Sequence, residues 1–352
     1  MVEMKILTRH DDPDLIDFIN YVFSMDGEPT DFVKLLPKAY EPETGHDILH
    51  LTLQEEGKIV AAVSLLFETY RHGADTLRIG FVGNVSTHPY RRGRGYMKWL
   101  MGEADRVMEE RGCDIAVLSG QRQRYEYFGY AQAGLQTCFV VTKDNLRHGL
   151  GKEHGGIFLQ DPEGEPDTLY EIYRQQSVIC RDRKSFYQDC RSWQGETTAV
   201  CRRGEPIGYV VADPDHKNWL EAVMPAQDYP GALASFMEAY GVEEVRVRKP
   251  LYETEILRIL EAISEEQHVE KSLMIKVFHW EAFLTYCLRL KPQKRGCWRL
   301  GPYRVTIQGE SVKVEKRGEE ELSADRLFSL FPREEDPEFL PLLFWMSEQD
   351  TF

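Results

Sequence analysis

The chain has 352 residues, which is more than one compact core usually contains and predicts two or three domains. Its 43 basic and 58 acidic side chains give a formal net charge of −15. This balance argues against a general nucleic-acid-binding surface, which needs clustered lysine and arginine, and it favours cationic substrates. With 29% charged and 42% hydrophobic residues, the composition excludes a disordered protein.

The seven cysteines predict neither a disulfide framework nor a zinc site, because their number is odd and no two are spaced as CxxC. We therefore expect reduced thiols, a cytoplasmic protein and no metal cofactor. His46 and His50 lie four residues apart, a spacing that would let them share a metal ion on a helix. The segment is instead predicted to begin a strand, and no third ligand is evident in the sequence, so no metal site is predicted there. The sequence also lacks an apolar run long enough to span a membrane and an apolar signal core at its beginning.

Hydrophobic periodicity in the first 150 residues predicts a mixed α/β arrangement. Helices are predicted at 15–23, where acidic residues precede the first turn, and at 96–110, where a glycine follows the last turn. The predicted strands are 48–54, 59–67, 77–87 and 114–119. A basic, glycine-containing loop at 88–95 joins the third strand to the second helix.

A glycine-rich stretch, 149–156, predicts the first domain boundary. Beyond it the order of elements repeats that of the first part, with little identity between residues, which indicates a duplicated fold. The predicted helices there are 168–176, 229–240 and 253–263, and the predicted strands are 197–202, 207–212, 219–225, 244–248 and 272–278. In the tail, 303–308 and 312–316 are predicted to pair as a hairpin.

The strongest chemical signal is the segment 80–97, where a strand leads through an arginine- and glycine-containing loop into a helix. Glycines let the backbone approach a ligand closely, and arginines together with helix N-terminal amides suit a pyrophosphate. The segment has neither GK[ST] nor GxGxxG, which excludes a P-loop and a dinucleotide-binding fingerprint. The alternative interpretation, a surface loop with three arginines, is weaker because strand, loop and helix follow in this order.

This segment resembles the coenzyme A loop of the GNAT superfamily of acetyltransferases, whose pattern is (Arg/Gln)-x-x-Gly-x-(Gly/Ala) after a splayed strand. Arg92 and Gly95 match the first and fourth positions, whereas Met97 departs from the last. A register that begins at Tyr90 fits the last position but puts tyrosine where arginine or glutamine belongs. The first register places the arginine five residues after Thr87, as in the family, and is preferred.

The resemblance implies acetyl-CoA as co-substrate. Strand-end amides would pair with the pantetheine arm, and the loop would hold the pyrophosphate. The implied cofactor-binding residues are Val85, Ser86, Thr87, Arg92, Gly93, Arg94, Gly95, Tyr96 and Met97. The corresponding stretch of the second half, 225–231, has no arginine and contains an aspartate, so one acetyl-CoA site is expected in each chain.

A second match lies at 125–130, where Tyr-Glu-Tyr-Phe-Gly-Tyr resembles the Tyr-x-x-Phe-Gly-Tyr block of the enhanced-intracellular-survival (Eis) family. Those proteins are multidomain GNAT enzymes that acetylate amines, including aminoglycosides. The resemblance implies that Tyr125 is the general acid for the departing thiolate. It also implies that the α-carboxylate of Phe352 enters the active site as the base. Aromatic packing and a frayed terminus are the alternative interpretations.

In that family a catalytic GNAT domain, a degenerate GNAT-like domain and a sterol-carrier-protein-like domain follow one another, and the element order here matches all three. The predicted fold class is α/β (α+β), with tandem GNAT-like mixed sheets flanked by helices and a small α+β sterol-carrier-like domain. The predicted domains are 1–150, 151–278 and 279–352. The resemblance further implies a homo-oligomer such as a hexamer.

These features predict an acetyl-CoA-dependent N-acetyltransferase in which a primary amine attacks the thioester directly in a ternary complex. The predicted acceptor is a cationic small-molecule or peptide amine, and aminoglycosides, polyamines and lysine side chains fit an acidic chain equally well. Asp26 and Glu28 could attract its ammonium group, although solvated acids are the alternative. Two other classes stay open: a non-catalytic acyl-CoA or lipid-binding protein, and a structural or regulatory oligomer.

Overall fold

The computed structural model describes residues 1–8, 12–25, 27–41, 45–72, 74–150, 156–162, 166–176, 181, 183, 186–290 and 293–352. The chain divides into two compact units. Unit 1 comprises Met1–Ala133, Ser272–Phe344 and Thr351–Phe352, and unit 2 comprises Gly134–Lys271 and Trp345–Asp350. The predicted boundary at 149–156 falls largely on 151–155, outside the described residues, and the three-domain division stays a prediction.

The N-terminal part of unit 1 is a sheet flanked by helices. Its strands are β1 (Val2–Leu7), β2 (Asp47–Glu55), β3 (Lys58–His72), β4 (Asp75–Thr87) and β5 (Ile115–Leu118). Its helices are α1 (Pro13–Ser24), α2 (Phe32–Leu35), α3 (Pro37–Tyr40), α4 (Tyr96–Glu110) and α5 (Arg122–Glu126). The strands lie in chain order, with β1 to β4 antiparallel and β5 parallel to β4.

Helices α1 and α4 form where the sequence predicts them, because each carries one apolar face and a suitable start. Asp12 caps α1 by accepting the backbone N–H of Asp14 and of Leu15 at 3.0 and 3.2 Å. The buried side of α4, which includes Leu100 and Met101, packs on the apolar residues of β2 and β3. This packing fixes the beginning of α4 against the sheet.

Unit 2 repeats this plan. Its strands are β7 (Ile157–Gln160), β8 (Glu196–Arg202), β9 (Glu205–Ala212), β10 (Asn218–Val223) and β11 (Glu244–Pro250), with most of β6 (Ala131–Thr142). Strand β12 (Glu266–Val277) begins in unit 2 and continues into unit 1 from Ser272. Its helices are α6 (Lys143–Leu150), α7 (Pro166–Gln176), α8 (Phe186–Arg191), α9 (Tyr229–Tyr240) and α10 (Thr254–Ile263). Strands β7 to β10 are antiparallel neighbours in chain order, and β11 lies parallel to β10.

The two units therefore share one topology, in which four antiparallel strands precede a helix and a parallel strand. Each unit then adds a further antiparallel strand: Met274–Val277 of β12 pairs with β5, and β6 pairs with β11. The predicted tandem GNAT-like mixed sheets flanked by helices are confirmed by this duplication. In unit 2 the helix corresponding to α4 begins beside the buried Asp228, which forms an ion pair with Arg202. A carboxylate at this helix start is unfavourable for a phosphate.

The C-terminal part contains α11 (Trp280–Arg289), the three-stranded antiparallel sheet β13 (Gly296–Leu300), β14 (Tyr303–Gln308) and β15 (Ser311–Lys316), and α12 (Ala324–Leu327). The last two strands form the predicted hairpin. Phe283 of α11 contacts the rings of Phe328 and Phe344, with centroids 6.0 and 5.6 Å apart, so the apolar tail is packed rather than frayed.

Two predictions about thiols and helices can be compared with the described residues. Within these ranges six cysteines take part in no disulfide bond and five of them are buried, whereas Cys180 lies outside the described residues. None of the described helices is both long and apolar enough to cross a bilayer.

The segment Trp345–Asp350 is anchored in unit 2 by the buried Arg181. The guanidinium donates to the carboxylates of Glu221 and Asp350 at 2.6 Å each. The Ser347 hydroxyl lies within hydrogen-bonding distance of the same two carboxylates, at 2.8 and 2.6 Å. The guanidinium holds the pKa of Glu221 below its usual value against the opposing effect of burial. Losing one partner of a buried ion pair costs about 3–5 kcal/mol, so this cluster ties the segment that precedes Thr351 firmly.

Candidate active site

A cleft opens in unit 1 where β4 leaves its neighbours. The parallel pairing of β4 with β5 extends over Ile79–Phe81 and Ile115–Val117. On the other side, the register between β3 and β4 shifts between Ala62 and Ser64, and Asn84 of β4 has a φ of +51°. A bulge of this kind bends a strand and turns its following residues, which accounts for the splayed strand end that the resemblance implies.

The cleft has a volume of about 370 Å³. Of the nine residues that the resemblance assigns to acetyl-CoA, eight line the cleft, and Arg94 does not. The lining residues are Val22, Phe23, Val85, Ser86, Thr87, Arg91, Arg92, Gly93, Gly95, Tyr96, Met97 and Arg124. The structure therefore brings together the end of β4, the loop and the first turn of α4.

The first turn of α4 is suited to an anion. The residue before it, Gly95, has a φ of +80° and offers no side chain to the free backbone amides. Gly93 has a φ of +79°, and at either glycine no atom beyond the adjacent residues lies within 4 Å of the position of a Cβ. The loop thus keeps a left-handed backbone and open space at the positive end of the helix dipole.

Glu55 organises the basic loop. Its carboxylate accepts hydrogen bonds from the guanidinium groups of Arg91 and Arg94, at 2.6 and 3.3 Å, and from the hydroxyl of Tyr96. The Tyr96 hydrogen bond and the two arginines hold the pKa of Glu55 below its usual value. Among the described residues, Arg92 has no ion pair, so its charge is available to a ligand of the cleft.

Tyr125 lies on α5 beside this region and is 7% exposed. Burial raises the pKa of its phenol, and the Arg124 guanidinium opposes the shift. Its ring makes an edge contact with Tyr130 at 6.3 Å. Arg124 lines the cleft, whereas Tyr125 is not among the lining residues. The buried phenol therefore carries its proton at neutral pH, next to a residue of the cleft.

The other members of the 125–130 block have different surroundings. Phe128 packs against the apolar core and Tyr130 is buried, as the packing interpretation predicts. Tyr127 is 65% exposed and lies 5.5 Å from the Lys98 ammonium.

Phe352 packs directly on β4, in front of the bulge. A Cβ on Gly83 would lie 2.7 Å from the Phe352 ring, so this glycine provides the space that the ring occupies. The Phe352 side chain is 6% exposed, and the buried Lys38 ammonium donates to the backbone carbonyl of Thr351. The end of the described chain is thus docked at the strand that lines the cleft.

Of the two acidic residues suggested for the acceptor, Glu28 lies within the described part of the chain. It is exposed and does not line the cleft. Asp26 lies outside the described residues.

A buried polar network behind the bulge was not predicted. The His50 ring nitrogen Nδ1 lies 2.7 Å from the Ser64 hydroxyl, and the Tyr40 hydroxyl lies 3.4 Å from the same oxygen. The Asn84 amide donates to the Tyr40 hydroxyl. All four side chains are buried, and they connect the bulge to β2, β3 and α3. The only sequence signal is a polar residue at a buried strand position, as at His50 and Ser64.

Because this network holds the bulge residue, replacing Asn84 by alanine should lower the free energy of unfolding by about 1–3 kcal/mol. The loss of its amide leaves the buried Tyr40 hydroxyl with fewer donors, and alanine tolerates a positive φ poorly. Urea denaturation measures the change, with the exposed Gln123→Ala as a control expected within about 0.5 kcal/mol of the parent. If Asn84→Ala and Tyr40→Phe prove additive in a double-mutant cycle, the network is not a coupled unit.

Residues 3–133 match the family model of the acetyltransferase (GNAT) domain. No curated protein matches the sequence of this chain. Several solved structures share the fold over most of the chain.

One is a GCN5-related N-acetyltransferase from Anabaena variabilis, with a TM-score of 0.61, 15% identity, and coverage of 90% of this chain and 86% of the other. Eis1 from Mycobacterium abscessus has a TM-score of 0.58, 14% identity, and coverage of 90% and 86%. A conserved protein of unknown function from Enterococcus faecalis, named a probable N-acyltransferase, has a TM-score of 0.64, 15% identity, and coverage of 90% and 85%. At these identities the likeness shows the fold alone.

Proposed function

From the acetyltransferase (GNAT) domain that residues 3–133 form, we propose that the protein transfers an acetyl group from acetyl-CoA to a primary amine. The enzyme class predicted from the sequence, a GNAT acetyltransferase, is confirmed by this domain. The observation that carries the proposal is the cleft in which a bulged strand meets an uncapped helix start.

The residues of the cleft fit acetyl-CoA, which would supply the reactive thioester. The amides at the start of α4 and the Arg92 guanidinium would hold the pyrophosphate, because both offer donors to an anion. The backbone of Val85–Thr87 would pair with the pantetheine arm. Glu55 would keep Arg91 and Arg94 in place at the rim of the loop.

In the proposed reaction the amine nitrogen attacks the acetyl carbonyl, so that a C–N bond forms and the C–S bond breaks. Tyr125 donates its phenolic proton to the departing sulfur; burial raises the pKa of the phenol, so this proton is in place at neutral pH. The α-carboxylate of Phe352 accepts the proton that the amine loses. Both groups act on a substrate pair held side by side, which supplies much of the rate.

The proposed acceptor, location, oligomeric state and C-terminal domain rest on the net negative charge of the chain and on the resemblance to the Eis family. An acidic chain favours a cationic acceptor, such as an aminoglycoside, a polyamine or a lysine side chain. Asp26 and Glu28 remain candidates for attracting its ammonium group. A cytoplasmic homo-oligomer, a hexamer among the candidates, and a sterol-carrier-like character for 279–352 belong to the same proposal.

The second candidate function is acyl-CoA binding without transfer. It rests on Met97, which stands where the family pattern has glycine or alanine and lines the cleft. The two functions are separated by release of free thiol from acetyl-CoA: the transferase releases it only when an amine is present, whereas the binding protein does not release it at all.

Replacing Arg92 by alanine should raise the KM for acetyl-CoA by about tenfold to a hundredfold, because a charge-assisted hydrogen bond contributes about 1.5–3 kcal/mol. The kcat should change little, since the pyrophosphate is far from the reacting bonds. Arg106→Ala is the matched control, because that arginine lies further along α4, away from the loop, and pairs with Glu103 and Glu110. A KM that Arg92→Ala leaves at the parent value would contradict the assignment of this loop.

A further inference from the structure

We propose that unit 2 binds a Zn²⁺ ion between β6 and β12, with Cys138, His268 and Glu270 as its ligands. One sulfur, one imidazole nitrogen and one carboxylate oxygen from these side chains lie within 4.8 Å of one another. The site has no part in the cleft described above, and the inference does not depend on the proposed acetyl transfer.

Sheet geometry brings the three side chains together. His268 and Glu270 are two positions apart on β12, so they point to the same face of the sheet. Cys138 lies on β6, the neighbouring strand in the sheet order, within reach of cross-strand partners. The His268 nitrogen Nε2 is 3.5 Å from Oε2 of Glu270. Because paired strands hold all three, little backbone rearrangement is needed to close around an ion.

Hydrogen bonds already orient the carboxylate. The Gln136 amide and the Arg248 guanidinium donate to Oε1 of Glu270 at 2.8 and 3.0 Å, while Oε2 is the oxygen nearer to His268. Gln136 is itself fixed, because its Oε1 accepts the indole N–H of Trp345 at 2.6 Å. Outer partners of this kind hold a ligand in its binding orientation.

The balance of charge also favours a divalent cation. The carboxylates of Glu270 and Glu348 and the Arg248 guanidinium lie close to Cys138, which is 1% exposed. With Cys138 bound as a thiolate, these four groups carry three negative charges and one positive charge. One divalent ion neutralises the excess of two, and its binding would release the thiol proton to solvent.

The donor set points to Zn²⁺ rather than to Mg²⁺ or Ca²⁺. A thiolate and an imidazole are ligands of borderline-soft ions, whereas the hard ions take oxygen ligands almost alone. Three protein ligands leave a fourth tetrahedral position for water or for the nearby Glu348 carboxylate. Cys138 lies far in sequence from the other two ligands, so no short sequence motif predicts this site.

Titration of the full-length, chelator-treated protein tests the proposal, with Co²⁺ as an optical probe and Zn²⁺ measured by calorimetry. We expect one ion bound by each chain, a thiolate-to-cobalt charge-transfer absorption, and loss of that absorption when Zn²⁺ is added. Absence of saturable binding, or binding without a thiolate signal, would overturn the proposal.

Variants locate the ion. Cys138→Ser should abolish the charge-transfer absorption, and His268→Ala should weaken binding at least tenfold. Since the His268 side chain is 54% exposed, its removal leaves the core intact and keeps the test valid if the buried Cys138 variant folds poorly. The matched control is Cys297→Ser, which removes an exposed thiol of β13. Full binding by His268→Ala, or loss of the absorption in Cys297→Ser, would place the ion elsewhere and reject the assignment.

Discussion

Replacing Tyr125 by phenylalanine lowers kcat by about 100-fold to 10,000-fold in the proposed mechanism, which is the usual contribution of a positioned general acid. The substitution removes only the hydroxyl, so the buried ring and its contact with Tyr130 remain. Binding of acetyl-CoA should be unchanged, because the proposal assigns that substrate to the loop and the start of α4. Steady-state kinetics and calorimetric binding measure the two effects separately.

The matched control is Tyr127→Phe, two residues further on, where the hydroxyl belongs to an exposed side chain. It should keep the parent turnover. Because burial raises the pKa of Tyr125, loss of its proton should lower activity only at strongly alkaline pH. Parent-like turnover in Tyr125→Phe would remove this residue from the mechanism.

A glycine–serine extension after Phe352 is expected to lower kcat by a similar factor of about 100 or more, because it turns the carboxylate proposed as base into a peptide carbonyl. The Phe352 ring packs against Gly83, and the Lys38 ammonium donates a hydrogen bond to the Thr351 carbonyl. There is therefore little room for added residues beside the ring. Turnover of the extended and parent proteins, at saturating acetyl-CoA, provides the measurement.

An extension of equal length before the exposed Met1 is the control and should leave turnover unchanged. Gly83→Ala gives an independent check, since its methyl group would meet the Phe352 ring at 2.7 Å and displace it. Full activity in both the extended protein and Gly83→Ala would contradict the role of the chain end.

The sequence predicted helices α1 and α4 and strands β2 to β5 of unit 1, because the signals of these elements are local. The apolar face of α4 repeats at helical spacing, and the loop before it is marked by glycines with a positive φ. The duplicated fold was also predicted from the repeated order of helices and strands, because this order is the same in both halves although they share little sequence identity. Local periodicity and turn chemistry were sufficient for these elements.

Elements that depend on partners elsewhere in the chain were missed. Strand β6 is buried at nearly every position, so it lacks the alternation of a surface strand. The first half of β12, from Glu266 to Lys271, is polar and exposed at most positions, and the predicted strand therefore began too late, at residue 272. Helix α11 was left unassigned, although Phe283 and Leu284 lie on its buried side. The pairing and packing partners of these segments are distant in sequence.

The candidate active site also combines residues that a local motif predicts with residues that only the folded chain brings together. The loop residues were identified from one continuous motif, whereas Glu55, which binds two of its arginines, comes from the end of β2. The network behind the bulge joins Tyr40, His50 and Asn84 from three elements. No spacing rule connects such residues, because only the folded sheet makes them neighbours.

The most direct test of acetyl transfer is release of free thiol from acetyl-CoA by the untagged full-length protein. Aminoglycosides, polyamines and lysine peptides serve as acceptors, and Tyr125→Phe serves as the matched inactive variant. The proposed function predicts thiol release that requires an amine and is matched by acetylation of that amine in its mass spectrum. Acetyl-CoA binding without release, across the whole panel, would contradict the transferase and support a binding protein.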